Sequence, residues 1–291
     1  MKPMQSPSEF ERHRPRLFGI AYRMLSSRAD AEDVLQDAYL RWHRGSSEEL
    51  RSAEAWLVTI VTRLCIDRLR AVRAEREHYV GPWLPEPLIG EAASPPDASA
   101  ELSSSLSIAF LVVLEQLAPD ERAAFLLHDV FDTEYADLSQ ILGKSESACR
   151  QIVSRARKRV REKRPRVQVS DAARRSVLER FASAIQMQDR AALLELLAEG
   201  ASWTSDGGGK TRAALKVIRG RDRVVRFVLG VLGRHTHRFD FEMTSVNGEP
   251  ALALRAEGKL FSVITVRTDG ARILDAYTVL NPDKLAARGQ A

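Results

Sequence analysis

Apolar positions recur at three- and four-residue steps through the first quarter of the chain. In "RADAEDVLQDAYLRWH" (28–43) Ala31, Val34, Leu35, Ala38, Tyr39 and Trp42 make one stripe, the spacing of a helix with one buried face. Asp30 stands where its N-cap belongs. "SAEAWLVTIVTRLCIDRLRAVRAERE" (52–77) predicts a further helix that buries Leu57, Ile60, Val61 and Leu64 and turns Thr59, Arg63, Arg70 and Arg73 outward. Residues 8–78 therefore read as an all-helical block.

The pattern stops at 79–100, where "YVGPWLPEPLIGEAASPPDASA" carries five prolines and two glycines. Proline removes backbone donors and biases its predecessor away from helix, so this is a linker. "WLPEPL" inside it is too apolar for a solvated tether, and Trp83, Leu84 and Leu88 are expected to dock on a surface. Helical periodicity returns over 101–165. "DTEYADLSQILGKSESACRQIVSRARKRV" (132–160) gives a helix, a Gly143-Lys144 turn, and a second helix capped by Ser145, with Leu138, Ile141, Leu142, Ile152 and Val153 between them. That is a helix-turn-helix. From 171 two helices, "DAARRSVLERFASAIQMQD" and "RAALLELLAEG", and another near 220–233 precede four strand-like runs separated by glycine turns. Helices followed by meandering antiparallel strands describe a small α+β domain over 171–291.

Charge sharpens this outline. The net charge is +5, and "RQIVSRARKRVREKRPR" (150–166) holds nine Arg or Lys against the single acid Glu162. A basic helix of this kind fits a polyanion, nucleic acid before membrane. The first turns of a recognition helix meet base edges, which makes Glu146, Ser147, Arg150 and Gln151 candidate readers, followed along the helix by Ser154. Arg155, Lys158 and Arg159 are placed to meet phosphates. In the first block Asp33, Gln36 and Asp37 share the face opposite the stripe, either an ordinary solvated face or a surface for a protein partner. Trp56 beside Arg63 and Arg70 suits unstacked bases or, equally, the core.

Cys65 and Cys149 form no ligand cluster, which argues against a disulfide framework and structural zinc. No signal peptide or run of about 18 apolar residues is evident, so a cytoplasmic protein without a membrane partner is expected. "SDGGGKT" (205–211) imitates the tail of a phosphate-binding loop, but Thr204 stands where that loop needs its first glycine. The triple glycine instead suits a close intramolecular contact, with the Trp83–Leu88 linker as its partner. Asp240, Glu242, His235, His237 and Asp275 are the acid–base candidates of the last domain; no two share a diagnostic spacing, and no cofactor or metal is expected.

"AEDVLQDAYLRW", "AWLVTIVTRLCIDRLRA", "LAPDERAAFLLHDVF" and the helix-turn-helix resemble regions two and four of sigma factors of the extracytoplasmic-function group, in the same order. "WLPEPL" (83–88), "DGGGK" (206–210) and "NPDKL" (281–285) resemble signatures of the SigJ-like subgroup, which carries a C-terminal SnoaL-like domain of the nuclear-transport-factor-two superfamily. The resemblance implies two all-α sigma domains, the second with the helix-turn-helix, followed by an α+β cone-shaped SnoaL-like domain. It implies that Asp33, Val34, Leu35, Gln36 and Asp37 bind the β′ clamp helices of core RNA polymerase, the β flap being a further partner. It further implies that the segment from Trp56 through Thr59, Arg63 and Arg70 to Arg73 melts and reads a minus-ten element, and that 145–161 reads a minus-thirty-five element. Arg63 departs from the asparagine common in the group, so minus-ten specificity does not carry over. The expected function is promoter-specific initiation without catalysis, regulated in cis and without a separate anti-sigma factor. Trp83, Leu84 and Pro85 would meet Asp206, Gly207, Gly208, Gly209, Lys210, Asn281, Pro282 and Asp283. The rival is a helix-turn-helix regulator fused to an active or ligand-sensing SnoaL-like domain.

Overall fold

The first apolar stripes form three helices, α1 (Pro7–Leu25), α2 (Arg28–Arg44) and α3 (Ala53–Glu77). Their seam buries Leu17, Ile20, Met24, Leu35, Trp42, Leu57 and Val61. The computed structural model describes residues 7–44, 52–90, 105–163, 169–232 and 239–286 of the chain. These fall into two compact units, Met1–Glu77 with Val113–Arg164, and His78–Val112 with Pro165–Ala291. The unit boundary falls within the short helix α4 (Ile108–Leu114).

In the first unit α5 (Pro119–Phe125) starts with Pro119 at its first turn, and Glu121 Oε2 accepts the Ala118 N–H at 3.2 Å. That satisfies one of the donors a helix start leaves open. A π-helical turn (Leu126–Val130), α6 (Tyr135–Leu142) and α7 (Glu146–Lys163) follow. Gly143 ends α6 with φ +63° and Lys144 N–H returns to Ser139 O, a left-handed cap suited to glycine. Ser145 Oγ accepts the Ala148 N–H and caps α7. Cys149, Ile152, Val153, Ala156 and Val160 are its buried side.

A buried ionic cluster joins α3, α5 and the turn between α1 and α2. Arg122, 2% exposed, donates to Glu115 Oε1 at 2.6 Å, to Ser26 Oγ at 2.5 Å and, through Nε, to Arg23 O at 3.1 Å. Arg76 closes on the other oxygen of Glu115 and donates to Leu25 O.

The second unit begins with α8 (Asp171–Gln186) and α9 (Arg190–Leu196), capped by Ser170 and Asp189. Six strands follow in the order β2-β1-β6-β5-β4-β3: β1 (Leu197–Asp206), β2 (Ile218–Arg219), β3 (Phe239–Val246), β4 (Glu249–Ala256), β5 (Lys259–Thr268) and β6 (Ile273–Val279). Between β2 and β3 lies α10 (Arg221–Leu232), and α11 (Pro282–Leu285) closes the unit. The expected meander exists as β3 to β6, but the sheet is mixed, because β1 pairs parallel to β6. β1 occupies "LAEGASWTSD", whose first residues sequence reading assigned to a helix. Alanine, glycine and aspartate are poor strand formers, and pairing with β6 overrides them.

One sheet face packs Val177, Phe181, Leu193 and Val225 of the helices against Trp203, Leu252, Ile264 and Ala276. A second core gathers Leu84, Ile108, Val246, Ala251, Val263 and Val279. Leu84, Ile89, Ile108 and Val112 thus join residues 78–90 and 105–112 to the C-terminal unit through apolar contacts.

Burial alone would raise the Glu115 carboxyl, but Arg122 and Arg76 outweigh it and hold it below the ordinary carboxylate range. A depressed carboxyl stabilises the fold above its unfolded pKa, about 4.3, and that contribution disappears as pH falls through the folded value. Glu115→Gln should cost about 3–5 kcal/mol, the penalty of leaving a buried charge unpaired. Urea unfolding followed by helical circular dichroism at pH 7 measures it. The same series taken down through the depressed folded pKa, below the ordinary carboxylate range, should show wild type and variant converging.

Candidate nucleic-acid interface and linker clasp

On α2 the side chains of Asp33, Gln36 and Asp37 are exposed together. Val34 and Leu35, expected in the same polymerase-binding set, are 5% and 2% exposed and belong to the three-helix core. They follow the stripe's periodicity inward, so they support the acidic face from below and do not present themselves to a partner.

The α3 candidates are already engaged. Trp56 is half-buried with its ring centroid 5.7 Å from that of Trp42. Thr59 Oγ1 donates to Ala55 O of its own helix at 2.8 Å. Arg63 Nε and Nη2 donate to Ile141 O and Gln140 O at 3.0 and 2.8 Å, the open carbonyls at the end of α6 that carry the negative end of its dipole. Seven residues on, Arg70 donates to Asp120 Oδ1 at 2.9 Å, and Asp120 Oδ2 lies 3.2 Å from Lys144 in the helix-turn-helix turn. The side chain of Arg73 lies outside the described residues.

On α7 the eight expected residues, Glu146, Ser147, Arg150, Gln151, Ser154, Arg155, Lys158 and Arg159, are all exposed. Glu146 holds Arg150 at 2.7 Å, and the Arg150 guanidinium lies 5.0 Å from the centroid of the Tyr135 ring. Such an arrangement presents the guanidinium in a fixed attitude at the start of the helix. Arg159 and Arg155 face Glu121 at 2.5 and 3.8 Å, both remaining more than half exposed. Arg157 is different in kind. It makes three hydrogen bonds with the Asp129 carboxylate, at 2.6 to 3.0 Å, and serves the packing of this unit. Tyr135, Glu121 and Asp129 escaped sequence reading because their roles depend on which helix lies opposite.

The linker signatures converge on one buried carboxylate. Asp206, at the end of β1, is fully buried. Its Oδ1 accepts the Tyr79 hydroxyl at 2.5 Å, and its Oδ2 accepts the Leu84 N–H at 2.8 Å and Lys284 Nζ at 2.7 Å. Lys284 also donates to Leu84 O and lies 4.0 Å from the Trp83 ring centroid. Burial first, and Asp206 second, push the Tyr79 phenol well above its usual pKa. Asn281 Nδ2 donates to the Tyr79 hydroxyl at 2.9 Å.

The glycines have steric reasons. A side chain on Gly207 would begin 2.3 Å from Thr211 O, and one on Gly208, at φ +58°, 2.3 Å from Asn281 Nδ2. Gly209, at φ +72°, faces Val80. Neither the clearance nor the left-handed backbone is open to another residue without strain. Lys210 pairs with Asp283 at 2.5 Å on the surface, beside an exposed Pro282. Pro85 is buried within the docked linker.

Three residues outside the expected set complete this clasp, Tyr79 described above, Lys284 and Asn247. Lys284 lies inside the quoted "NPDKL", and Asn247 sits in the β3–β4 hairpin turn at φ +55°. Asn247 Oδ1 accepts the Leu88 N–H at 2.8 Å, its Nδ2 donates to Leu106 O, and its own N–H donates to Leu88 O. Asn-Gly is a common hairpin turn, so its sequence signal pointed to the turn and concealed the docking. Ile89 bridges Val246, and Gly90 N–H bonds Ser245 O. The linker thereby continues the sheet past its β3 edge.

Among the acid–base candidates, Asp240 is exposed, Glu242 pairs with Arg255 at 2.8 Å, and Asp275 is tied to Ser202 and Arg267. None of these three lines the apolar cavity of this unit. His235 and His237 lie outside the described residues.

The Sigma-70 region 2 family matches residues 10–75, and the Sigma-70, region 4 family matches residues 107–160. The ECF RNA polymerase sigma factor SigJ of Mycobacterium tuberculosis (strain ATCC 25618 / H37Rv) is 38% identical over 290 residues, covering 95% of this chain and 92% of that protein. A probable ECF RNA polymerase sigma factor SigI of Mycobacterium tuberculosis (strain CDC 1551 / Oshkosh) is 29% identical over 277 residues, covering 94% and 92%. The crystal structure of the Mycobacterium tuberculosis SigJ factor superposes with a TM-score of 0.77 at 35% identity, covering 97% of this chain and 98% of that one. The chain belongs to the extracytoplasmic-function sigma factors of RNA polymerase. Its architecture is SigJ-like, with regions two and four followed by an α+β domain. Core RNA polymerase and promoter DNA are the partners that this membership implies.

Proposed function

We propose that the C-terminal unit regulates initiation in cis, by holding the linker between regions two and four through the Asp206 clasp. The single observation that supports this most is that Asp206, with no exposed surface, spends its carboxylate on the linker: Tyr79, the Leu84 N–H, and the Lys284 that also binds Leu84 O. Because the clasp is tethered, a weak interface stays populated, and neither a separate anti-sigma factor nor catalysis is needed. Among the described residues no helix is long and apolar enough to cross a membrane; we assign the protein to the cytoplasm.

The DNA contacts extend the same reading. Asp33, Gln36 and Asp37 meet the β′ clamp helices, and Arg150 reads a base edge while Lys158 meets phosphate. Two promoter elements about 25 base pairs apart are separated by about 85 Å at 3.4 Å per pair. Arg63 and Arg70, bound to Gln140, Ile141 and Asp120, must release those partners before regions two and four can span that distance.

Run-off transcription with purified core polymerase tests the regulation. Asp206→Asn removes the carboxylate charge that Lys284, 12% exposed, meets at 2.7 Å, a loss of about 3–5 kcal/mol from the clasp. Output from a promoter recovered by genome-wide binding should change several-fold with Asp206→Asn and with a chain ending before Asn281. Unchanged output from both would remove the regulatory reading. With the same holoenzyme, Arg150→Ala should lower discrimination at one minus-thirty-five base by about 1–3 kcal/mol. Lys158→Ala should weaken all sequences alike and flatten the salt dependence. Equal, sequence-blind losses would contradict that assignment.

A further inference from the structure

A polar cleft of about 510 Å³ opens on the C-terminal unit, sharing no lining residue with the clasp or the apolar cavity. It is lined by Arg180 of α8, Leu194 and Glu195 of α9, Arg221 of α10, and Ala271 and Arg272 of the β5–β6 turn. Three arginines far apart in the sequence thus border one concavity. A run of charge along a single helix is an ordinary solvated face, but guanidiniums brought together from three elements are not a product of helical periodicity. Arg180 and Arg272 are exposed and Arg221 is half-buried, so all three are open to a ligand.

Among the described residues these charges are unpaired: the side chains of Arg180, Arg221, Arg272 and Glu195 make no hydrogen bond or ion pair. Asp222, beside Arg221 in the chain, faces Arg190 at 3.6 Å instead. Asp269 is spent on the backbone of its own turn. Its Oδ1 accepts the Arg272 N–H at 2.7 Å and the Ala271 N–H at 2.9 Å, and these bonds hold its carboxyl below the ordinary range. Thr268 Oγ1 donates to Arg272 O at 2.6 Å, so the backbone that carries Arg272 is fixed at its N–H and at its carbonyl. Like charges lining one concavity focus a positive potential, and a site arranged beforehand loses less on binding.

The lining selects the occupant. A guanidinium fork matches two phosphate oxygens at a time, so three forks suit a phosphate group. Glu195 sets the remainder, because a carboxylate repels a bare anion and accepts from hydroxyl groups. The volume falls in the range of about 300–1,000 Å³ usual for small-molecule sites, more than phosphate alone fills. The phosphodiester backbone of DNA offers Glu195 no donor, which distinguishes this cleft from the basic face of α7.

We infer that this cleft binds a small phosphate monoester carrying hydroxyl groups, its phosphate held by Arg180, Arg221 and Arg272 and its hydroxyls by Glu195. The site stands independently of the clasp and of regulation in cis.

Ribose 5-phosphate is the probe, titrated into the full-length protein at constant ionic strength and followed by the backbone ¹H–¹⁵N resonances of Arg221 and Arg272. Both should shift saturably. Inorganic phosphate, with no sugar hydroxyl for Glu195, should bind about fivefold more weakly. Arg221→Gln and Arg272→Gln, each read on the other arginine's resonance, should weaken ribose 5-phosphate about tenfold, the loss of a charge-assisted hydrogen bond. Arg175→Gln removes an exposed charge of α8 outside the cleft and should leave the affinity within about twofold. Glu195→Ala should bring the preference over inorganic phosphate below about twofold. Shifts that never saturate, or an equal loss in Arg175→Gln, would reduce the signal to general ionic screening and overturn the site. Inorganic phosphate bound as tightly as ribose 5-phosphate would mean an adventitious ion only, and a preference retained in Glu195→Ala would overturn the role given to that carboxylate. A non-promoter DNA duplex that shifts the same resonances and displaces ribose 5-phosphate would reassign the cleft to nucleic acid. The wild-type titrations need no variant, so a variant that fails to fold leaves the test intact.

Discussion

A carboxylate with no exposed surface has to be surrounded by donors, and Asp206 draws its donors from two distant parts of the chain. Removing a charge from water is costly unless pairing and hydrogen bonding offset it. That requirement brings Tyr79 and Leu84 of the linker and Lys284 of the last helix to one point. The rest of the docking follows locally. With Lys284 in place, Trp83 finds a cation over its ring, and the Leu84 and Leu88 side chains enter a core with Val246, Val263 and Val279 or lie buried beside it. Left-handed glycines at 208 and 209 let the loop pass close to Asn281 and Val80.

The helical unit applies the same constraint twice. Glu115 satisfies Arg122 and Arg76 in the interior, and Asp120 with the open carbonyls of α6 satisfies Arg70 and Arg63 near the surface. The first arrangement is buried and structural. The second is exposed, so water, salt and phosphate compete with it, and exposed ion pairs contribute little each. The α3 arginines that sequence reading assigned to nucleic acid are thus occupied by acid and carbonyl oxygens of their own unit.

Much of this was legible in the sequence, for definite reasons. The stripe through Ala31, Val34, Leu35 and Trp42 repeats at helical spacing, and Gly143 and Ser145 mark the helix-turn-helix by capping chemistry. The apolar "WLPEPL" announced a docking segment, because leucine and tryptophan rarely line a solvated linker. Hidden were the partners supplied by tertiary structure. Tyr79 and Lys284 carry no local pattern that sets them apart from surface residues. Asn247 was masked by its own turn signal, and β1 by residues of low strand propensity. Val34 and Leu35 show the opposite error, since a motif carried over as a block includes positions that periodicity places inside.

The claim on which the account depends is that the linker is held by the C-terminal unit in the intact protein. Amide hydrogen exchange at Leu84 and Leu88, whose N–H groups bond Asp206 and Asn247, measures it directly. The account predicts protection comparable to that of the β5 and β6 amides, lost at Leu84 in Asp206→Asn while the strands stay protected. Exchange of Leu84 and Leu88 at the rate of an open loop, in an otherwise protected full-length protein, would contradict it.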